Sequence, residues 1–203
     1  SESPYLCSTI WSNFSKTIQE MNLELTEEQI AVRDAARDFA QNILKPTVID
    51  RDNAQRFATE EITQRGELGF MGMMVDEENG GSGMDTMSYV LAMEEISKVD
   101  ASVSVCMSVN NSLVCYGLQE FGTAEQKEKY LRPLASGQKI GAFCLSEPEA
   151  GSDATSQATT AVDCGDHYLL NGTKNWITNG GTCEIALVFL LKVGGGLAAG
   201  MSM

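Results

Sequence analysis

The segment GAFCLSEPEAGSDA, residues 141–154, is the point at which the pattern of this sequence changes from helix to strand. Its apolar run Phe143-Cys144-Leu145 is typical of a short strand. Pro148 interrupts the strand pattern, because proline has no amide hydrogen and favours extended geometry in the residue before it. The polar run from Glu149 to Asp153 contains a glycine and is typical of a turn. The segment therefore predicts a strand that opens into a polar loop.

A second segment, LNGTKNWITNGG at residues 170–181, predicts a hairpin. Tyr168-Leu169-Leu170 is typical of a strand, and Asn171-Gly172 is the strongest type of short hairpin signal. The residues from Lys174 to Thr178 are then the predicted returning strand.

Two side chains of this returning strand suggest a ligand site. Strand alternation places Trp176 and Thr178 on one face and Ile177 on the other. A planar ring and a nearby hydroxyl suit a flat heteroaromatic ligand. The alternative is that Trp176 is a core residue and Thr178 an ordinary strand threonine, since aromatic residues in strands usually pack against their neighbours.

The residues before this point predict a set of helices. Thr26-Glu27-Glu28-Gln29 and Thr123-Ala124-Glu125-Gln126 are capping boxes, in which threonine and glutamine side chains bond the first turn of a helix. Pro46 ends the first helix and Gly137 the last. The predicted helices start at Thr26, Thr59, Asp85, Asp100 and Thr123.

The segment from Ala101 to Gln119 carries no charged residue. A membrane span is one interpretation, but its serine and asparagine side chains would all need partners in lipid. A helix buried at the centre of a bundle explains the segment better. Ser108, Asn110 and Asn111 are then either polar linings of an internal pocket or buried groups bonded to neighbouring helices.

The glycine-containing loop from Asp76 to Gly83 lacks the order of strand, GxGxxG and helix that a dinucleotide-binding fold requires. It is predicted to be a connector. Its backbone passes close either to a ligand or to a neighbouring segment.

Period-two patterns replace the helical period after Gly137, which places a domain boundary near that residue. The predicted strands are 140–146, 155–163, 166–171, 174–179 and 183–190. The predicted fold class is therefore α+β, with an all-α helical bundle followed by a β-domain.

Composition argues against several classes of protein. The formal charge of −14 and the pI near 4.4 argue against a nucleic-acid partner. The six cysteines show neither CxxC pairs nor metal-ligand spacing and are typical of reduced, intracellular thiols. His167 is the only histidine in the chain, so a zinc cluster is not supported, and this residue is predicted to be structural.

The motif LSEPEAGSD at 145–153, followed by NGTKNWITNGG at 171–181, resembles the paired flavin-binding signature of the acyl-CoA dehydrogenases. The resemblance covers roughly residues 22–189. It extends back through VDEENGGSGMD, AMEEISKVDAS and SVNNSL, which most resemble the short-chain (butyryl-CoA) members of the family.

The resemblance implies an N-terminal helical domain, an antiparallel middle β-domain and a C-terminal helical bundle, assembled as a homotetramer. Residues 22–138 would form the first domain and 139–189 about half of the second, with the C-terminal bundle missing. Residues 1–21 are expected to be a disordered leader, from upstream translated sequence or a cloning remnant. Residues 190–203 are expected to be an aberrant tail without strand character, produced by a frameshift, a splice variant or a truncation.

The resemblance also implies a reaction. Members use FAD to oxidise an acyl-CoA thioester to the trans-2-enoyl-CoA in fatty acid β-oxidation, and they pass electrons to electron-transfer flavoprotein. A glutamate of the C-terminal bundle removes the α-proton, so no catalytic residue is expected in this chain and it is expected to be inactive alone. Neither Glu147 nor Glu149 takes that role; each is expected to be a solvated or capping carboxylate. The expected location is the bacterial cytoplasm or the mitochondrial matrix.

Two alternatives stay open. One is a member with another acyl-chain specificity, or an acyl-CoA oxidase that passes electrons to oxygen. The other is a non-catalytic flavin-binding fragment.

Carried over residue by residue, the resemblance implies cofactor contacts in both motifs. They are Phe143, Cys144, Leu145, Ser146, Gly151, Ser152, Trp176, Ile177 and Thr178. Leu145 and Ser146 would bond the pyrimidine edge of the flavin, Trp176 would pack on its rings, and Thr178 would lie near N5. Ser152 would also stand where the cofactor meets the CoA of the substrate. Because CoA is anionic and the chain is acidic, that site must be locally neutral or basic.

Overall fold

The computed structural model describes residues 24–193, apart from the side chains of residues 63–65 and 67, together with the backbone of residues 197–202. The predicted leader, residues 1–21, lies outside the described residues. The described chain has a helical part, which is followed from Gly141 by a small sheet.

The predicted helix starts are all confirmed. The α-helices are α1 Glu27–Phe39, α2 Val48–Asn53, α3 Thr59–Glu67, α4 Thr86–Ser97, α5 Ala101–Ser108, α6 Tyr116–Phe121, α7 Ala124–Gln126 and α8 Arg132–Ala135. The π-helical segments are Ala40–Leu44 after α1, Val109–Cys115 between α5 and α6, and Lys127–Leu131 between α7 and α8. The sequence pattern did not predict α2 or the π-helical segments. Short 3₁₀ turns lie at Glu77–Asn79 and Ala154–Ser156.

Side-chain caps explain where the first and later helices begin. The Thr26 hydroxyl accepts from the Gln29 backbone N–H at 3.2 Å, and the Gln29 side chain accepts from the Thr26 N–H at 3.1 Å. Thr123 and Gln126 form the same pair at 3.2 and 2.9 Å. Both predicted capping boxes are confirmed. Each satisfies N–H groups that a first helical turn otherwise leaves without partners.

The core of the helical part forms where α1 packs against α4. Val32, Ala36 and Phe39 of α1 are buried together with Ala92 and Ile96 of α4. Spacing of three and four residues places these side chains on one face of each helix. Burial of a large apolar side chain contributes about 1.5–3 kcal/mol, so this face holds the two helices together.

The charge-free segment forms α5, a π-helical segment and α6. Val103 and Met107 lie on its buried face. Val105, Leu113 and Tyr116 lie on the opposite face and are 47%, 38% and 55% exposed. Among the described residues, the prediction of a helix buried at the centre of a bundle is therefore wrong for this face. No helix among the described residues is long and apolar enough to cross a bilayer.

Two buried asparagines join the helices to their surroundings. The Asn110 amide donates to the Leu134 carbonyl at 3.2 Å and accepts from the Gly141 N–H at 3.0 Å. Asn110 and Asn111 also bond backbone groups of the loop 70–73. The structure therefore supports the interpretation of buried groups bonded to neighbouring segments for both asparagines, and Asn111 also lines a pocket beside Met74 and Met84.

A buried ion network joins α2, α3 and the start of α5. The Arg51 guanidinium lies 2.9 Å from the Glu61 carboxylate and 2.7 Å from the Asp100 carboxylate. The Asp100 side chain also caps α5, accepting from the Val103 N–H at 3.1 Å. All three charged side chains are buried, so removal of one partner leaves an uncompensated charge.

The glycine loop passes close to its own chain. A Cβ atom on Gly81 would overlap with the backbone of Val75. Gly80 and Gly83 have φ angles of +85° and +60°, a region that favours glycine. These contacts support the interpretation that the loop approaches a neighbouring segment.

The strands are β1 Gly141–Cys144, β2 Thr160–Asp163, β3 Tyr168–Asn171, β4 Ile185–Lys192 and β5 Leu197–Ser202. Their order is β1-β4-β2-β3, and β5 pairs with β4. The pairs β1–β4 and β2–β4 are parallel, whereas β2–β3 and β4–β5 are antiparallel. The α+β class is confirmed, and the sheet is mixed, so the antiparallel expectation holds for only part of it.

The predicted hairpin at Asn171-Gly172 is wrong. The observed hairpin joins β2 to β3, and its turn lies earlier in the chain. There the Cys164 N–H donates to the His167 carbonyl at 2.9 Å. Gly165 supplies the positive φ angle, +96°, that such a turn needs.

The predicted strand at residues 174–179 is also wrong, because its backbone groups bond to the first motif or close a local turn. The Asn175 N–H donates to the Ser146 carbonyl at 3.0 Å, and the Gly180 N–H donates to the Ile177 carbonyl at 3.0 Å. The segment is therefore an irregular connection, and the strand alternation expected for its side chains does not apply.

The prediction that residues 190–203 lack strand character is contradicted by two strands. β4 continues to Lys192, and β5 spans Leu197–Ser202. Antiparallel pairing with β4, from Ala186↔Ser202 to Leu191↔Leu197, provides the backbone partners that stabilise this glycine-rich sequence as a strand.

Candidate functional site

The end of β1 is the base of the candidate site. Phe143 packs on Phe189 of the neighbouring strand β4, with ring centroids 4.9 Å apart. At the start of β1, the Gly141 N–H donates to Asn110 at 3.0 Å, and its carbonyl accepts from the Asn179 amide at 2.9 Å. The strand is therefore fixed between the helical part and the second motif.

A tight turn follows β1. The N–H groups of Glu147 and Ala150 each donate to the carbonyl oxygen of the other residue, at 2.9 and 3.2 Å. This closes the turn and leaves Glu149 exposed. Gly151 and Ser152 follow on the surface, and a Cβ atom on Gly151 would have no neighbour within 4 Å. The predicted polar loop after the strand is confirmed.

The Glu147 carboxylate lies inside this loop and is saturated with hydrogen bonds. It accepts from the N–H groups of Ala158 and Thr159 at 2.6 and 3.0 Å and lies 2.7 Å from the Lys174 ammonium. Burial would raise the pKa of this carboxyl, but those hydrogen bonds prevail and lower it from 4.5 to about 2. Of the two roles expected for Glu147, the structure shows the capping one.

Lys174 occupies the other half of this ion pair. Its side chain is only 11% exposed. The ammonium donates to the Leu145 carbonyl at 3.0 Å, the Glu147 carboxylate at 2.7 Å and the Gln157 side-chain oxygen at 3.1 Å. An ammonium group has three hydrogens, so each of them has an acceptor.

Trp176 is exposed to 92% and lies on a strained backbone, with φ at +56°. The Asn175 amide holds its ring: in the orientation that satisfies both groups of this amide, the oxygen accepts from the indole N–H at 3.3 Å. The amide nitrogen then donates to the Glu147 carbonyl at 3.2 Å. The alternative of a core tryptophan is therefore wrong. A large apolar ring is instead held in solvent at the cost of backbone strain.

Asn179 carries a second unusual feature. Its φ angle is +65°, and its amide nitrogen reaches Gly141. The residue is 6% exposed, yet within the described part of the chain its amide oxygen has no hydrogen-bond partner. A buried oxygen without a partner is costly, so this position has an acceptor available for a bound group.

The structure thus brings the two motifs together. Contacts from Lys174 and Asn175 to Leu145 and Ser146 place the residues around Trp176 beside the end of β1. Phe143, Cys144, Leu145, Ser146, Ile177 and Thr178 are half-buried, and Gly151, Ser152 and Trp176 are exposed. Burial raises the pKa of the Cys144 thiol, which is therefore not activated as a nucleophile.

The sequence analysis missed the side chains that connect these motifs: Lys174, Gln157, Asn175 and Asn179. One signal was available, because Lys174 is a charged residue in a segment that was interpreted as a strand. The partners that neutralise it could not be identified from the sequence, since Glu147 and Gln157 lie far from it along the chain. No cluster of histidine, cysteine and carboxylate side chains that could hold a metal ion occurs among the residues described.

Comparison with known proteins identifies the two parts of the chain. Residues 26–138 match the family model for the N-terminal domain of acyl-CoA dehydrogenases, and residues 142–203 match the model for the middle domain. The second match extends beyond residue 189, where the resemblance was expected to end.

Two curated relatives are similar over most of this chain. A short-chain specific acyl-CoA dehydrogenase of Clostridium acetobutylicum is 46% identical over 171 residues, covering 84% of this chain and 45% of the relative. The mitochondrial short-chain specific acyl-CoA dehydrogenase of Bos taurus is 47% identical over 168 residues, covering 83% and 41%. The chain therefore spans less than half the length of the curated relatives it matches.

Solved structures show the same fold. A chain from a structure of the electron transferring flavoprotein of Acidaminococcus fermentans has a TM-score of 0.86 at 46% identity, with 90% of this chain and 49% of that chain covered. Butyryl-CoA dehydrogenase from Megasphaera elsdenii has a TM-score of 0.84 at 42% identity, with 90% and 50% covered. An acyl-CoA dehydrogenase complexed with FAD from Bacillus anthracis has a TM-score of 0.81 at 32% identity, with 88% and 31% covered. The chain belongs to the acyl-CoA dehydrogenase family.

Proposed function

We propose that this chain forms the FAD-binding part of a short-chain acyl-CoA dehydrogenase. One observation carries the proposal: the Trp176 ring is held in solvent, on a strained backbone, beside the end of β1. An exposed aromatic face fits a flat heteroaromatic ring system, which would remove it from water. The similarity to short-chain enzymes and to an FAD complex supports the same assignment.

The residues present fit an FAD group. The Trp176 indole offers a stacking face, and the buried Asn179 oxygen lacks a partner among the described residues. In our proposal Leu145 and Ser146 bond the pyrimidine edge, and the Thr178 hydroxyl lies near N5. The other proposed cofactor contacts are Phe143, Cys144, Gly151, Ser152 and Ile177.

The proposed reaction is α,β-dehydrogenation of an acyl-CoA thioester to the trans-2-enoyl-CoA. FAD, when bound, supplies the acceptor for the hydride that leaves the β-carbon. The residues of this chain hold and orient the ring system and exclude water from one of its faces. Ser152, on the exposed turn, is the proposed contact to the CoA of the substrate.

We assign the catalytic base to no described residue. Glu147 is buried, and its carboxylate is engaged by Ala158, Thr159 and Lys174. Glu149 is exposed on the turn that the reciprocal backbone bonds between Glu147 and Ala150 close. We therefore expect the 203-residue chain to bind FAD without turning over butyryl-CoA.

The proposal extends to partners. We propose electron-transfer flavoprotein as the electron acceptor of the complete enzyme, a homotetramer as its assembly, and the bacterial cytoplasm or mitochondrial matrix as its location. Similarity to a bacterial and a mitochondrial enzyme supports the choice of location.

The test uses the purified 203-residue chain, incubated with FAD and passed through a desalting column. We expect flavin absorbance to travel with the protein and to be lost in Trp176→Ala. Phe121→Ala is a matched control, because Phe121 is an exposed aromatic residue at the end of a helix. Absence of flavin from the protein fraction would refute the FAD site. Formation of enoyl-CoA from butyryl-CoA by this chain would refute the assignment of the base.

A further inference from the structure

The Lys174 ammonium donates hydrogen bonds to three residues from other parts of the chain. Its acceptors belong to Leu145, Glu147 and Gln157, at 3.0, 2.7 and 3.1 Å. Glu147 in turn accepts from the N–H groups of Ala158 and Thr159. The ion pair of Glu147 and Lys174 therefore connects three parts of the chain. They are the first motif at Leu145, the residues after its loop at Ala158 and Thr159, and the second motif at Lys174.

This point lies beside the groups proposed to touch FAD. Leu145 is one of them, and its carbonyl is bonded directly to Lys174. Trp176 follows Lys174 by two positions, and its indole N–H is held by Asn175, whose amide also bonds the Glu147 carbonyl. Displacement of the ion pair is therefore expected to move the Leu145 backbone and the Trp176 ring relative to each other.

We propose that Lys174 is a positioning residue for the flavin. Its buried ammonium fixes the Leu145 carbonyl and the Glu147 carboxylate, so that the backbone at Leu145 and Ser146 and the ring of Trp176 are aligned before the cofactor arrives. The inference rests on the proposed function. It goes beyond that function because Lys174 lies outside the set of proposed cofactor contacts.

Burial gives the ammonium a role that an exposed lysine does not have. Lys174 and Glu147 are 11% and 6% exposed at their side chains, whereas Lys192 and Asp163, at 3.3 Å, are 42% and 46% exposed. A buried pair holds its geometry, whereas an exposed pair is screened by water and exchanges partners. Lys192→Met, which removes the cation of an exposed ion pair at the end of β4, is therefore a matched control.

Pre-alignment predicts a defined effect on binding. Lys174→Met retains the length of the side chain but leaves the Glu147 carboxylate buried without its cation. The double variant Glu147→Gln, Lys174→Met removes both charges and leaves neither buried alone. We expect both variants to bind FAD about 10-fold to 100-fold more weakly, as is typical when a group that orients a ligand contact is lost.

The experiment measures the fluorescence emission of Trp176. The chain has two tryptophans, so Trp11→Phe leaves Trp176 as the only one. In this background, quenching of tryptophan emission by added FAD gives the dissociation constant. Emission anisotropy without FAD reports how firmly the indole is held. Far-UV circular dichroism checks that each variant is folded.

Weaker FAD binding and lower anisotropy in the double variant, with Lys192→Met within about twofold of the parent, would support the inference. Equal dissociation constants for the parent and a folded double variant would overturn it and leave the proposed function intact. If Lys174→Met alone is unfolded, the double variant decides. Absence of FAD binding by the Trp11→Phe parent would overturn the proposed function, and this inference with it.

Discussion

At the residue scale, the structure of Trp176 differs most from what the sequence pattern predicts. Alternation along a strand predicted a shared face for Trp176 and Thr178, with a core tryptophan as the alternative. The structure instead gives Trp176 a positive φ angle and 92% exposure. The Asn175 N–H donates to the Ser146 carbonyl, and the Asn175 amide oxygen accepts from the indole N–H. These bonds hold the geometry, and the first of them depends on a residue distant in the sequence.

Replacement of Trp176 by alanine is predicted to weaken FAD binding about 5-fold to 150-fold. Stacking of a flat ring on an aromatic side chain contributes about 1–3 kcal/mol, which corresponds to that range. The urea midpoint of unfolding is expected to change little, because the side chain is already exposed. Equilibrium dialysis with FAD, read by flavin absorbance, and urea denaturation followed by circular dichroism measure the two effects. A large loss of stability would show that the ring has a structural role instead.

Glu147 predicts a pH dependence of stability. Its folded pKa, about 2, lies below its ordinary value of 4.5. The unfolded chain therefore binds the proton more readily than the folded chain, and the contribution of this carboxylate to stability is present above pH 4.5. That contribution is lost as the pH falls from about 4.5 toward 2.

The measurement compares the parent with Glu147→Gln in urea titrations at a series of pH values. We expect the difference in free energy of unfolding between the two proteins to shrink as the pH falls through this window. A difference that stays constant down to the lower limit would contradict the assignment. Glu149→Gln is the control, because Glu149 is exposed on the same turn.

At the element scale, helix starts were predictable because they depend on neighbouring residues. The two capping boxes and the Asp85 and Asp100 caps are formed within four positions of the chain. Strands were harder to predict, since their partners are remote. The segment at 174–179 fits a strand pattern but bonds to the first motif, whereas β5 fits no strand pattern and is stabilised by β4.

Asp100 combines a predictable cap with an ion pair that the sequence does not reveal. Asp100→Asn retains a capping oxygen for the Val103 N–H but removes the negative charge beside Arg51. We expect a loss of about 3 kcal/mol in the free energy of unfolding, because a buried cation loses one of its carboxylate partners. Urea denaturation measures this loss.

Asp85→Asn is the matched control. Asp85 caps α4 by accepting from the Ser88 N–H at 2.6 Å, and its other oxygen accepts from the Gln29 amide at 2.8 Å. No cation bonds this carboxylate among the described contacts, so a change of less than about 0.5 kcal/mol is expected. Equal losses for the two variants would show that the negative charge of the capping residue, and not the ion pair with Arg51, determines the effect.

At the scale of the whole molecule, the change of sequence period near Gly137 identified the division between helices and sheet. The groups that join the two parts were only partly predictable. Asn110 was recognised as a buried polar residue, but its bond to Gly141 at the start of β1 became evident only in the structure. Glu184 makes a second such connection, accepting from the Ile140 N–H at 2.8 Å.

Asn110→Ala is predicted to destabilise the molecule by roughly 2–5 kcal/mol, because it leaves the Gly141 N–H and the Leu134 carbonyl buried without this partner. The exposed Asn171→Ala is the control and should change little. Urea unfolding followed by circular dichroism and by Trp176 emission in the Trp11→Phe background tests both. A loss below 1 kcal/mol, or about that of the control, would contradict the proposed role of Asn110 in joining the two parts.

The most direct test of the central claim is a crystal structure of this chain grown with FAD. We predict that the isoalloxazine ring lies against the Trp176 indole, with its pyrimidine edge within hydrogen-bond distance of Leu145 and Ser146. Lys174 is expected to keep its contacts with Leu145 and Glu147 in that complex. FAD bound on another surface, with the Trp176 ring still in solvent, would contradict the account.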